Sequence, residues 1–237
     1  AGLVASLDAP GSNITGTADL APLDQQAAMI PELFPEAKNV GIVYCSAEPN
    51  SVYQANIVIA ELEAMLAERD AEINRLWCET ERNEYISTIL MLLYSGVRVS
   101  ELLDLKKENV HLAERYFDVI ESKTDAGVRK VPIADRTMPF FEVWMQNESN
   151  YLICNKKGGK FVYSTYMRYY WEPMMQELNF DHLPHDTRHT TISLLAKAEV
   201  NPTIIKRIVG HAGAMDLTEK VYTHFEIQQL IDAINLI

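Results

Sequence analysis

Residues 185–224 read HDTRHTTISLLAKAEVNPTIIKRIVGHAGAMDLTEKVYTH, and the reading of this stretch decides the rest of the chain. A His-x-x-Arg pair, His185 and Arg188, opens it. Gly210-His211 lies in the middle, and Tyr222 stands near the end between Val221 and Thr223. Upstream, residues 95–105 read SGVRVSELLDL and place a second arginine, Arg98, at the expected start of a helix, with Glu101 one turn on. Two arginines, two histidines and a hydroxyl nucleophile suit a phosphodiester. Guanidinium groups stay protonated and meet non-bridging oxygens in bidentate fashion. Imidazoles move protons near neutral pH. A tyrosine attacking phosphorus gives a covalent ester that preserves the bond for religation. Lys123, near the turn of an expected hairpin, is placed to protonate a leaving oxygen.

Outside this stretch, the chain of 237 residues has room for one large domain or two small ones, and 48% apolar composition supports a real core. Cys45, Cys78 and Cys154 are widely spaced and odd in number, which fits reduced thiols in a cytoplasmic protein better than a disulfide framework. No apolar run reaches the roughly 20 residues of a membrane span, and the first residues, AGLVASLDAPGSN, lack the pattern of a signal peptide. The net charge is −12, unevenly spread: residues 1–79 hold 3 Lys+Arg against 12 Asp+Glu, and residues 80–237 hold 18 against 21. That asymmetry points to two parts of different origin. Phosphate binding by the second part would depend on a local cluster of cations.

Taken in order, residues 24–34 read as a short helix and residues 40–45, VGIVYC, as a buried strand. A helix capped at Asn50 or Ser51 follows, then a separate charged helix over 67–77. Helix, strand, helix makes one α/β unit, too small to fold as a domain by itself. Residues 82–94 form an apolar helix ended by Gly96, and 100–105 another. Residues 116–121 and 128–133 read as a β-hairpin around Thr124-Asp125-Ala126-Gly127. Residues 150–154 and 161–162 suggest a third strand beside the basic loop of Lys156, Lys157 and Lys160. Everything beyond Ser164 is helical apart from turns. Trp144, Trp171, Tyr166, Tyr169 and Tyr170 read as packing residues. His185 and His189 fall at i, i+4, yet no acidic or cysteine ligand accompanies them, so no metal is expected.

Two resemblances follow from these motifs. SLDAPGSNITGTADL (6–20) and LFPEAKNVGIVYCSAEPNSVYQANI (33–57) resemble periplasmic substrate-binding proteins of ABC transporters, over roughly residues 3–66. No binding residue is carried over from so small a part. SGVRVSELLDL, SKTDAGVRKVPI (122–133), PHDTRHT (184–190), IVGHAGA (208–214) and KVYTH (220–224) together resemble the tyrosine recombinases, or phage-type integrases, from about residue 70 to 237. That resemblance implies that Arg98 and Arg188 bind the scissile phosphate and that Lys123 is the general acid. It further implies that His185 and His211 assist proton transfer and that Tyr222 is the nucleophile, with Glu101 buttressing the site. Double-stranded DNA would be the partner, and no cofactor or metal would be needed. In this family a helical DNA-clamping domain precedes the catalytic one, and here the first resemblance stands in its place, so the chain reads as a fusion.

The expected fold is therefore mainly α with a small antiparallel sheet over residues 68–237, a tyrosine recombinase-like catalytic domain, preceded by an incomplete α/β segment over 1–67. The expected function is DNA breakage and rejoining through a 3′-phosphotyrosyl intermediate. Two alternatives stand beside it: type IB topoisomerase-like relaxation, and an inactive fusion that only binds DNA or a small ligand. The apolar residues Phe225, Ile227, Leu230, Ile231, Ile234 and Ile237 fall at helical spacing. They suggest a C-terminal helix that either closes the domain's own core or docks onto a neighbouring copy in a homo-oligomer on DNA, the second being favoured.

Overall fold

A computed structural model describes residues 21–33, 40–121, 127–210 and 226–237. The chain divides into two units, one containing residues 21–33 and 41–68 and the other containing residues 69–237. Among the described residues, no helix is long and apolar enough to cross a membrane. Cys45, Cys78 and Cys154 are all free thiols.

In the first unit, α1 (Leu23–Leu33) is followed by the start of α2 (Pro49–Glu79). The expected strand at 40–45 does not form: these residues have no regular structure, and Val40, Val43 and Tyr44 are exposed. A strand of a parallel sheet needs neighbours on both edges and cover on both faces, and nothing among the described residues provides them. Within this unit the buried apolar side chains described are Leu23, Ala27 and Ala55. The two helices expected across 50–77 are one. Between Asn50 and Glu79 there is neither glycine nor proline, and ELEAMLAERDAEINRL is made of strong helix formers, so nothing stops the helix.

The second unit holds the core. Helix α3 (Ile86–Leu93) is buried at every position, as an apolar run packed on all sides must be. Gly96 ends it, and α4 (Val99–Leu103) follows at once. Three short strands, β1 (Val110–His111), β2 (Tyr116–Val119) and β3 (Arg129–Pro132), form an antiparallel sheet in the order β1-β2-β3. Phe117 pairs with Val110 on one side and Val131 on the other, and Val119 faces Arg129. The third strand is thus β1, upstream of the hairpin. The segment expected to supply it instead runs beside residues 105–107, with a bridge between Lys106 and Tyr151 and Leu152 N–H donating to Leu105 O at 2.8 Å.

The rest is helical: α5 (Met138–Trp144), α6 (Tyr163–Tyr166), a π-helical turn (Met167–Trp171), α7 (Glu172–Leu178), α8 (Pro184–Lys197), α9 (Pro202–Val209) and α10 (Ile227–Ile234). Trp144, Tyr166 and Trp171 are buried with their polar atoms satisfied. Trp144 Nε1 donates to Ser87 Oγ at 2.9 Å, Trp171 Nε1 to His182 O at 2.8 Å, and Tyr166 shares a 2.7 Å bond with Thr88. Tyr169, by contrast, is exposed. Helix α10 packs on β3 and α9, burying Leu230, Ile231, Ala233 and Ile234. Its apolar face is therefore covered within its own unit, one of the two roles its spacing left open.

Gly96 has φ +65°, and a Cβ there would lie 2.9 Å from Val209 Cγ1 and 3.1 Å from Thr191 Cγ2. Gly96→Ala combines overpacking with a left-handed backbone and is expected to destabilise the second unit by roughly 2–4 kcal/mol. Trp77, Trp144 and Trp171 all belong to that unit, so the urea midpoint of tryptophan fluorescence reads the loss directly.

Candidate active site

Arg98 occupies the residue before α4 in extended backbone. Its N–H donates to Glu101 Oε2 at 3.0 Å, and its Nη1 donates to Glu101 Oε1 at 2.7 Å. One carboxylate therefore caps the helix start and holds the arginine's fork, which a glutamate at the third helical position is placed to do. A third of the Arg98 side chain remains exposed, whereas that of Glu101 is 3% exposed. The second oxygen of Glu101 also receives Arg129 Nη2 at 3.1 Å, from a side chain with no exposure at all. Burial pushes the Glu101 pKa up, but the charge and hydrogen bond of Arg129, joined by two bonds from Arg98, outweigh it and hold it below the ordinary carboxylate range.

Helix α8 carries His185, Arg188 and His189. Pro184 presets its first turn, and Asp186 accepts from Leu183 N–H at 2.7 Å. Arg188 is 1% exposed, and its Nη1 donates to Gly96 O at 2.6 Å and also to Val209 O. It thus links the turn before Arg98 to the end of α9. His185 is exposed and stands edge-on to His189, with ring centroids 4.6 Å apart. Partial burial, then the charges of His189, Arg188 and Arg98, lower its pKa, so the imidazole is neutral at neutral pH and available as a proton acceptor.

Helix α9 ends at Gly210, φ +71°, the residue before His211. Its last carbonyls have no partner within the helix. Arg129 Nε takes Ile208 O at 2.7 Å and Arg188 takes Val209 O, so guanidinium groups cap the end where the helix dipole favours cations.

The structure therefore brings Arg98, Glu101, His185 and Arg188 into one region, with the charges of Arg98 and Arg188 both felt at His185. Lys123, His211 and Tyr222 lie outside the described residues. Among the loop lysines, Lys160 pairs with Asp104 at 2.9 Å and sits over the Tyr151 ring, while Lys156 and Lys157 are exposed. Arg129 did not stand out in the sequence, although a signal existed: it shares strand parity with Val131 and Ile133, which places a charge on the core face.

Removing the shared carboxylate while keeping its shape should leave two arginines without their counter-ion. Glu101→Gln is expected to cost about 3–5 kcal/mol at pH 7. A carboxyl held below its ordinary pKa of about 4.3 stabilises the fold fully above that pH and progressively less below it. The gap between the parent chain and Glu101→Gln should therefore narrow in urea titrations at pH 4, and a constant gap would rule out the ionic account.

The phage integrase family model matches residues 61–229, and the ABC transporter substrate binding protein model matches residues 1–68. A tyrosine recombinase of Thermosipho africanus is 27% identical over 150 residues, covering 62% of this chain and 52% of the relative. Tyrosine recombinase XerA of Thermococcus kodakarensis is 32% identical over 151 residues, covering 60% and 51%. The chain thus spans about half the length of these recombinases. A tyrosine-binding protein of Clostridioides difficile is 41% identical over 56 residues, covering 24% of this chain and 16% of that protein. In fold, the chain is similar to the Tn1549 transposon integrase solved in complex with transposon right end DNA. The TM-score is 0.52 at 18% identity, covering 91% of this chain and 85% of that one. It is also similar to the XerA recombinase, with a TM-score of 0.51 at 22% identity, covering 90% and 82%.

Proposed function

The chain belongs to the phage integrase family through residues 61–229, and on that premise we propose that it breaks and rejoins double-stranded DNA through a 3′-phosphotyrosyl intermediate. One observation carries the reading. Arg98 with its Glu101 brace, and His185 with Arg188, lie about 90 residues apart in sequence and meet beside the end of α9, one residue before His211. In the proposed reaction, Arg98 and Arg188 neutralise the non-bridging oxygens of the scissile phosphate. The Tyr222 hydroxyl attacks phosphorus, with His185 or His211 accepting its proton. The bond to the 5′ oxygen breaks, and Lys123 supplies the proton that the leaving hydroxyl needs. Reversal by a second 5′ hydroxyl rejoins the strand and frees the tyrosine. No cofactor enters this scheme.

We assign the chemistry to residues 68–237 and treat 1–67 as a separate substrate-binding-protein-like segment. The setting is the cytoplasm, where DNA and reduced thiols coexist, and the role is recombination of a mobile element, with more than one copy on the DNA. Such assembly through α10 would first have to release a helix already packed on β3 and α9.

The test is trapping on a nicked suicide duplex, read as a covalent protein–DNA band on a denaturing gel. The parent chain should give the band, Tyr222→Phe should give none, and Arg98→Ala should slow its formation by about 10²–10³-fold. A band that persists in Tyr222→Phe removes the nucleophile assignment. Relaxation of supercoiled DNA without exchange between two duplexes would move the reading to a topoisomerase.

A further inference from the structure

Arg129 is the point where the candidate site is tied together. It enters β3 on the inward face beside Val131, and its side chain has no exposure. Each nitrogen of its fork is directed at a different segment. Nη2 donates to Glu101 Oε2 at 3.1 Å, the carboxylate that holds Arg98. Nε donates to Ile208 O at 2.7 Å, three residues before His211. Nη1 donates to Gly127 O at 2.7 Å, four residues after Lys123. Gly210 gives it room: a Cβ there would lie 2.8 Å from Arg129 Cζ and Nη1. Burying an arginine is a weak way to stabilise a fold, because desolvation offsets the attraction of its partner. What the guanidinium adds is direction, since its planar fork fixes three acceptors at once.

We infer that Arg129 is a positioning residue, whose three-way clamp holds Glu101, and with it Arg98, in fixed register against the backbone of Gly127 and Ile208, so that Arg98 is aimed at the scissile phosphate. It acts through Glu101 and backbone carbonyls. The inference rests on the strand-transfer reading above and deepens it.

The test uses the full chain with R129K, which keeps the charge opposite Glu101 but loses the fork, and R129M, which loses both. Hydrogen exchange followed by mass spectrometry needs no catalysis. In R129K, peptides covering 96–104, 127–133 and 202–210 should exchange at least tenfold faster together, while residues 86–93 keep their protection. On the suicide duplex, R129K at saturating DNA should form the covalent complex at least tenfold more slowly, with duplex affinity within about threefold of the parent, and R129M should be slower still. A purely structural role predicts uniform loss of protection, and a cleavage rate that follows the folded fraction. That result, an unchanged rate per folded molecule, or failure of both variants to fold would overturn the assignment. If the parent chain itself forms no adduct, the strand-transfer reading fails separately, and the exchange pattern alone decides whether Arg129 clamps the three segments.

Discussion

The C-terminal end of α9 has carbonyls that the helix cannot satisfy, and they are buried. Left unpaired, each would cost about 1–3 kcal/mol. Two arginines from distant elements meet the need, Arg129 from β3 at Ile208 O and Arg188 from α8 at Val209 O. The dependence runs both ways. A guanidinium with no more than 1% exposure is tolerable only where acceptors surround it. Among the described residues, Arg129 finds them in Glu101 and the carbonyls of Gly127 and Ile208, and the acceptors of Arg188 include Gly96 O and Val209 O. Sheet, α4, α8 and α9 are thus joined by the directions of a few charged hydrogen bonds.

Close approach makes those bonds reachable. Gly96 lets the turn after α3 sit against Thr191 and Val209, and the single Thr191 hydroxyl proton is shared between Leu93 O at 2.5 Å and Thr187 O at 2.9 Å, stitching the same turn to α8. Gly210 lets the α9 terminus sit against the Arg129 plane. Both glycines have positive φ, which a side chain would strain as well as crowd. Arg98 follows Gly96 by two residues and His211 follows Gly210 by one, so in sequence the residues assigned to chemistry adjoin these close approaches. A reacting group placed beside a well-packed backbone loses little freedom when substrate arrives, which is the physical content of preorganisation.

What could be read from the chain follows from the range of the forces involved. The apolar run of α3 and the strand patterns of β2 and β3 are local signals, and these elements formed. Strand β1 is two residues long and exists through its partner, so no pattern in residues 110–111 could announce it. Residues 150–154 are apolar enough for a strand, but they pair with 105–107 outside the sheet. The apolar face of α10 was visible, while its choice between its own unit and a neighbour was not, because periodicity identifies a face without its partner. Arg98, Glu101, His185 and Arg188 were legible as a set through their motifs. Arg129 needed the sheet register, since its function lies in three contacts distant in sequence.

The seam between the two family matches falls at residues 61–68, inside α2. Helical propensity continues across it, whereas the strand upstream needs partners from the same sheet and does not form. Local structure thus survives at a join where non-local structure fails, as expected if helices close their hydrogen bonds internally and parallel strands cannot. Charge follows the same division. The first 79 residues carry −9, which would weaken attraction of the whole chain to DNA at low salt. At physiological ionic strength such fields decay over about 8 Å, so a phosphate would respond chiefly to the groups nearest it. Beside Arg98, the Glu101 carboxylate is shared with Arg129. A carboxylate divided between two guanidinium groups cannot fully neutralise both, and the exposed third of the Arg98 side chain is where a phosphodiester oxygen would meet that charge.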